Sequence, residues 1–258
     1  MDALRVIYAI WLREVKMFVR EPVRLVGMVG QPLLYLLVVG QGIASGLTLN
    51  QAPSGVGYLL FIYPGIIGMS VLFTSMFAAI SIIWDREFGF LKEVLVSPAP
   101  RWAVAVGKVM GGATVAMMQS VILIALAPVA GVVPSVLMVV GLVLLCFLIS
   151  TAITSIGVAI AARMRSMQGF QMIMNFLVMP MYFLSGAMFP TQTAPAWMRP
   201  LMTVNPLKYG VDALRNVVWT EVGVPAGTDL PLGTNLALLG VAAVVLLGVA
   251  AFLFSTAD

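Results

Sequence analysis

The sequence predicts an all-α integral membrane protein with six transmembrane helices. Of its 258 residues, 61% are apolar and only 9% are charged, whereas a soluble domain has about 25% charged residues. Because so few charges cannot cover a globule with polar surface, the main solvent of this chain is lipid. Six apolar stretches of about 20 residues or more follow one another. Each is long enough to cross roughly 30 Å of hydrocarbon as a helix.

Residues 1–22 precede these stretches and are predicted to form an amphipathic helix in the membrane interface. One face carries apolar side chains, namely Leu4, Ile7, Tyr8, Trp11, Val15 and Phe18. The opposite face carries charged side chains, namely Asp2, Arg5, Arg13, Lys16 and Arg20. This arrangement is typical of a helix that lies flat among lipid headgroups. A signal peptide is the competing interpretation, but the stretch lacks the compact apolar core and small-residue cleavage site that one needs.

Residues 23–258 are predicted to form one transmembrane domain. Its spans cover about 23–43, 57–83, 104–128, 135–161, 169–189 and 233–254. No span carries Asp, Glu, Lys or Arg at its centre, which disfavours an ion-coupled carrier or a channel. The chain has no histidine, and its single cysteine, Cys146, lies within an apolar run. These facts exclude an internal disulfide and a Cys/His metal site, and they leave no constellation for an intramembrane enzyme.

Lysine and arginine residues are divided unequally between the two sides of this domain. Of the 14 cations, only Arg199, Lys208 and Arg215 fall on the side away from the N-terminus. Because cytoplasmic loops carry the excess of cations, both termini are predicted to be cytoplasmic, in a cytoplasmic (inner) membrane. The net charge of +4 therefore reports topology and not nucleic-acid binding.

The loop after the second span, residues 84–103, is predicted to be cytoplasmic and rich in charge. Its charged residues include Asp85, Arg86, Glu87, Lys92 and Glu93. Phe88, Leu91 and Leu95 recur at the spacing of one helix face. The loop is therefore interpreted as a short amphipathic helix that a soluble partner contacts. An ordinary connecting loop that contacts nothing is the alternative.

Residues 190–232, between spans five and six, form the second irregular region and are predicted to lie outside. Pro190, Pro195, Pro200 and Pro206 break its first part into short pieces. Asn205 is predicted to cap a helix that has Pro206 in its first turn. Lys208, Asp212 and Arg215 are spaced to pair along that helix. The segment either re-enters the outer leaflet or lies on the external surface.

Two sequence blocks resemble the ABC-2 type transporter permeases. Residues 85–108 (DREFGFLKEVLVSPAPRWAVAVGK) are similar to the signature loop of that family, and residues 205–215 (NPLKYGVDALR) are similar to its second block. The resemblance is strongest to the daunorubicin-resistance type of drug exporter. It implies that the 84–103 loop carries a coupling helix docked on a separate ATPase subunit. Phe88, Leu91 and Leu95 would be its apolar anchors, and the charged residues of the loop its polar rim.

The resemblance also implies a function. Two permease copies would pair, and an amphipathic or hydrophobic substrate, drug-like or lipid-like, would leave along their seam. Spans one, two and five would line this route with Gln31, Tyr35, Thr74, Ser75, Asn175, Met179 and Tyr182. Each of these residues has helix packing as an alternative role, and export of a polysaccharide or a lipid-linked glycan is the alternative function. The chain contains no GxxxxGK[ST] motif, so it is predicted to be non-catalytic, with ATP and Mg²⁺ on the partner subunit.

Overall fold

The computed structural model describes residues 2–21, 27, 30, 32–40, 58–89, 99–224 and 228–256. Helices dominate, and these ranges contain no strand, in agreement with the predicted all-α class. The α-helices are α1 (Ala3–Val19), α2 (Tyr58–Ala78), α3 (Ile80–Glu87), α4 (Arg101–Ile124), α5 (Val136–Arg163), α6 (Met167–Phe183), α7 (Arg199–Val204), α8 (Pro206–Glu221) and α9 (Leu232–Ser255). A π-helix covers Tyr35–Gly40, and 3₁₀ turns cover Ala127–Ala130 and Thr191–Thr193.

Four of the six predicted spans are present as helices that can cross a membrane. They are Tyr58–Glu87 (α2 with α3), Arg101–Ile124, Val136–Arg163 and Leu232–Ser255. The predicted fifth span corresponds to α6, which has 17 residues and is therefore only about 25 Å long. About half of the predicted first span, 23–43, lies outside the described residues, so the count of six stays a prediction.

Helix α5 packs against four other helices, namely α2, α4, α8 and α9. Helix α2 is apolar on all sides. In the span that α2 forms with α3, 83% of the most apolar stretch is buried inside the protein, whereas only 17% of the corresponding stretch of α9 is buried. A helix that is apolar all round needs an apolar environment on every side. The protein itself supplies that environment for α2, and lipid must supply most of it for α9.

Polar caps mark where several helices begin. The side chains of Ser135 and Ser166 accept hydrogen bonds from backbone N–H groups in the first turns of α5 and α6. Asn205 does the same for α8, accepting from Leu207 N at 3.1 Å, with Pro206 as the first helical residue. The predicted Asn205–Pro206 cap is therefore confirmed. The chain before it is broken into short helices, as its prolines predict.

Helix α1 packs along α4 with a buried face that matches the predicted apolar face only in part, since Phe18 belongs to both but Val6 and Ile10 were not predicted. Val6, Ile10 and Phe18 are buried, whereas Leu4 and Tyr8 are exposed. The helix is amphipathic as predicted, but one side of it belongs to the protein core.

Two glycines of α4 allow α1 to approach closely. A Cβ on Gly107 would lie 2.8 Å from Ile10 Cβ, and a Cβ on Gly111 would lie 2.6 Å from Glu14 Cβ. One turn further along, Trp11 Nε1 donates to Thr114 Oγ1 at 2.9 Å. Small residues at this spacing bring helix backbones together in membranes. The consequence here is that the charged residues of α1 are brought against the end of α4 that is nearest to the 84–103 loop.

Candidate coupling and transport sites

Four charged side chains from three helices form a cluster, which we call the buried charge cluster. It consists of Arg13 and Glu14 on α1, Asp85 on α3 and Lys108 on α4. Asp85 accepts hydrogen bonds from Arg13, one of them at 2.8 Å, and pairs with Lys108. Lys108 Nζ also lies 2.6 Å from Glu14 Oε1 and 3.1 Å from Ser81 Oγ. The cluster therefore connects the N-terminal helix to the second and third predicted spans.

The cluster is balanced in charge and shielded from solvent. The side chains of Lys108 and Asp85 are 2% and 5% exposed. Two cations face two carboxylates, so burial leaves no net charge. The pKa of the Arg13 guanidinium is raised, mainly because Arg13 donates hydrogen bonds to Asp85. Such pairs are costly to break, since the remaining partner would be a lone buried ion.

Asp85 was predicted to lie on the polar rim of a docking surface, but the structure does not place it at the surface. Asp85 is buried and paired inside the protein. Arg86, its neighbour, donates to the carbonyls of Ala162, at 2.9 Å, and Met164 at the end of α5. Of the predicted rim residues that the structure describes, only Glu87 is exposed to solvent.

Phe88, a predicted apolar anchor, lies at the end of a helix. It is the C-cap of α3 and is 83% exposed, and Gly89 follows it with a φ of +83°. The helix therefore stops at Glu87. Leu91, Lys92, Glu93 and Leu95 lie outside the described residues. The docking role of the loop stays a prediction.

The structure separates the predicted pathway residues into two groups. Thr74, Ser75 and Tyr182 are buried within the protein. Tyr35, Asn175 and Met179 are exposed, and Gln31 lies outside the described residues. Thr74 donates to Gln119 Oε1, and Gln119 Nε2 donates to Ser70 Oγ at 2.6 Å. These three side chains form a polar patch in the wall of an apolar cavity of about 510 Å³ between α2, α3 and α4.

One face of α6 is exposed and carries amide side chains. Gln168, Gln171 and Asn175 recur at helical spacing and are exposed. Beside them lie exposed apolar side chains, namely Met172, Phe176, Met179 and Phe183. Helix α6 makes few contacts with the rest of the described chain. Because an amide without a partner is costly in hydrocarbon, this face needs a polar or protein environment.

The predicted pairing of Lys208, Asp212 and Arg215 along α8 is wrong. The buried Asp212 carboxylate accepts hydrogen bonds from Asp229 N and Leu230 N, both at 3.0 Å, and from Asn235 Nδ2 at 2.6 Å. Lys208 instead lies 3.7 Å from Asp229. Asp212 therefore joins α8 to the start of α9.

Arg215 joins α8 to α2 and to the turn after α6. Its Nη2 donates to Gly186 O at 3.0 Å, and its guanidinium lies 4.4 Å from the ring centroid of Phe61. Burial lowers the pKa of Arg215. Nearby, Asn205 Nδ2 donates to Met181 O at 2.6 Å. The predicted second block thus holds the chain after α6 in place.

Sequence reasoning missed Glu14, Lys108, Gln119 and Asp229. A signal was present for two of them, because Glu14 is an acid on a basic helix and Lys108 is a cation within a predicted span. Among the described residues, no three His, Cys, Asp or Glu side chains are placed to hold a metal ion.

Comparison with known proteins gives consistent matches to transport permeases. The family model of the ABC-2 type transporter matches residues 5–219. The inner membrane transport permease YadH of Escherichia coli is 27% identical over 90% of this chain and 87% of its own length. The transport permease ycf38 of Cyanophora paradoxa is 26% identical over 76% of this chain and 68% of its own.

The probable multidrug ABC transporter permease YbhR of Escherichia coli is 24% identical over 65% of this chain and 46% of its own length. The family model covers most of the 258 residues, including both sequence blocks and the buried charge cluster. The chain belongs to the ABC-2 type transporter family of membrane permeases.

Proposed function

We propose that this chain is the permease subunit of an ATP-driven exporter that moves a hydrophobic or amphipathic substrate out of the cytoplasm. A separate ATPase subunit binds ATP and Mg²⁺ and docks on the 84–103 loop. Two copies of the chain form the route in a cytoplasmic membrane, with both termini in the cytoplasm. The exposed amide face of α6 is the observation that carries this proposal.

The amides of α6 support a route between two copies. Gln171 and Asn175 lie on a helix within the predicted fifth span, where lipid offers no hydrogen-bond partner. A second copy facing α6 would enclose these amides together with a polar route. Tyr35 and Met179 are exposed as well and are candidates for the same route.

The side chains beside the amides favour an apolar or amphipathic substrate. Exposed methionine and phenylalanine alternate with the amides on α6, and flexible methionine adapts to ligands of varied shape. Of the tyrosines that a glycan route would use, Tyr63 and Tyr182 are buried, and only Tyr35 is exposed. YbhR, named as a multidrug permease, is a relative with a compatible substrate class. Drug or lipid export is therefore preferred over glycan export.

The end of α3 supports docking of the energy source at this position. The exposed Phe88 follows Asp85 of the buried charge cluster by three residues along the chain, so a protein bound at Phe88 would act on α3 and, through Asp85, on α1 and α4. An exposed aromatic side chain is a common anchor in protein interfaces.

The test uses the tagged protein extracted from its own membranes in mild detergent. We expect an ATPase subunit to co-purify, and inside-out vesicles containing the complex to take up a lipophilic dye when ATP is added. Phe88→Ala should weaken retention of the ATPase, whereas Trp197→Ala, which removes another exposed aromatic ring on the predicted external side, should not. Purification without an ATPase, together with dye uptake that ignores ATP, would refute the proposal.

A further inference from the structure

A cavity of about 560 Å³ lies between the chain that precedes α8 and the beginning of α9. Charge asymmetry of the sequence assigns this end of the protein to the external side. Arg199, Lys208 and Asp229 line the cavity, together with the apolar side chains of Met202 and Leu238. Leu238 is 41% exposed on α9, so the cavity adjoins the surface that faces lipid.

The cation of Lys208 is largely shielded from solvent, and its nearest carboxylate is beyond hydrogen-bond distance. Its side chain is only 14% exposed, and its nearest carboxylate, that of Asp229, is 3.7 Å away. Within the described ranges, the Lys208 ammonium donates no hydrogen bond. An ammonium has three N–H donors, and Lys208 lines the cavity. The cavity therefore holds a cation with unused donors.

Asp229 does not compensate for this cation, because its carboxylate is occupied by other donors. Gln192 Nε2 donates to it at 2.7 Å, and Thr191 Oγ1 donates to it as well. Arg199 donates hydrogen bonds to the carbonyls of Ala194 and Gln192, at 3.2 and 3.4 Å. Because a guanidinium has five N–H groups, Arg199 can donate further hydrogen bonds. Two cations and one carboxylate leave the cavity with one excess positive charge.

The distribution of cations makes this pair unusual. Only three of the 14 lysines and arginines fall on the predicted external side, and two of the three line this cavity. Topology disfavours cations there, so their presence together requires another explanation. A bound anion supplies one.

We propose that this cavity binds the anionic phosphate group of an amphiphile, with Lys208 and Arg199 as its ligands and the apolar part beside Leu238. Both side chains are suited to phosphate, Lys208 as a point charge and Arg199 through paired N–H donors. The amphiphile is either a phospholipid of the outer leaflet or the exported substrate. The proposal rests on the proposed function for the external placement of the cavity.

The experiment measures binding of lysophosphatidic acid to the purified protein in mild detergent. The comparison ligands are a monoacylglycerol with the same acyl chain and inorganic phosphate. We expect lysophosphatidic acid to bind about tenfold or more tightly than the monoacylglycerol, since hydrogen bonds to charged groups are strong. Lys208→Gln should remove this preference, and Lys208→Arg should retain it. Lys16→Gln, which changes an exposed cation of α1, should have no effect.

Equal binding of the two acyl ligands, or an unchanged preference in both Lys208→Gln and Arg199→Gln, would overturn the proposal. Tighter binding of inorganic phosphate than of lysophosphatidic acid would also overturn it, because the apolar part would then contribute nothing. Reconstituted vesicles separate the two sources of the amphiphile. ATP-dependent movement of labelled lysophosphatidic acid identifies a substrate, and binding without movement identifies a resident lipid. Because binding needs no ATPase, it is measured independently of the proposed transport.

Discussion

Replacing Asp85 tests whether the buried charge cluster holds α1, α3 and α4 together. Asp85→Asn removes the negative charge that faces Arg13 and Lys108, so Glu14 must then balance both cations. Removing one partner of a buried ion pair costs about 3–5 kcal/mol. We expect a cost near the lower end, about 3 kcal/mol, because the Arg13 side chain is 29% exposed and asparagine still accepts a hydrogen bond.

The single cysteine provides the assay. Cys146 is fully buried, so a thiol-reactive fluorophore labels the protein only when it unfolds. For a chain of this size, 1 kcal/mol shifts the melting temperature by about 2–4 °C. Asp85→Asn should therefore lower the apparent melting temperature in detergent by roughly 6–12 °C. Asp2→Asn is the matched control, because it breaks the exposed Arg5–Asp2 pair and should produce no measurable shift.

A double variant separates the charge from the packing. Asp85→Leu with Lys108→Met removes one buried charge of each sign and keeps the volumes similar, a change that is often neutral or stabilising. Most of the stability lost in Asp85→Asn should return, and the cycle should show strong coupling between the two positions. The reasoning is refuted if Asp85→Asn melts like Asp2→Asn, or if the double variant is as unstable as the single one.

The other predictions concern the chain after α6 and the second copy. Asp212→Asn should leave at least one of the three donors near α9 without an acceptor, which costs about 1–3 kcal/mol of stability. We therefore expect faster proteolysis within 222–231 and a lower melting temperature. Unchanged values of both would contradict the role of Asp212. Asn175→Cys should be cross-linked into a dimer in membranes by a short bismaleimide. Val244 is 73% exposed on α9, and Val244→Cys should not be cross-linked. An Asn175→Cys thiol that reacts with maleimide but never cross-links would argue against the paired route.

Local patterns in the sequence predicted the local structure well. Four predicted spans and the Asn205–Pro206 cap agree with the structure, because span length and capping depend on residues close in the chain. The buried charge cluster depends on contacts across 72 and 94 residues. Periodicity contains no information about such pairs, so Asp85 was assigned to a surface instead.

The failure at Asp212 has a different physical cause. The spacing rule predicts pairs with Lys208 and Arg215, but such pairs on a helix contribute only about 0.2–0.5 kcal/mol. The donors near α9 offer three hydrogen bonds to the buried carboxylate, and hydrogen bonds to charged groups contribute about 1.5–3 kcal/mol each. The tertiary contacts therefore decide where Asp212 lies. This leaves Lys208 without a close partner, and the sequence alone gives no sign of it.

Adjacent residues at the end of α3 connect the 84–103 loop to two different parts of the bundle. Asp85 is bound to α1 and α4 through the buried charge cluster. Arg86 is bound to the last carbonyls of α5, just before Ser166 caps α6. Because separating the buried charges is costly, a displacement of α3 must carry α1 and α4 with it. The same displacement shifts the α5–α6 junction, and α6 has few contacts with other described residues that would resist movement. A partner docked at the loop therefore acts most readily on the helix that carries the exposed amides.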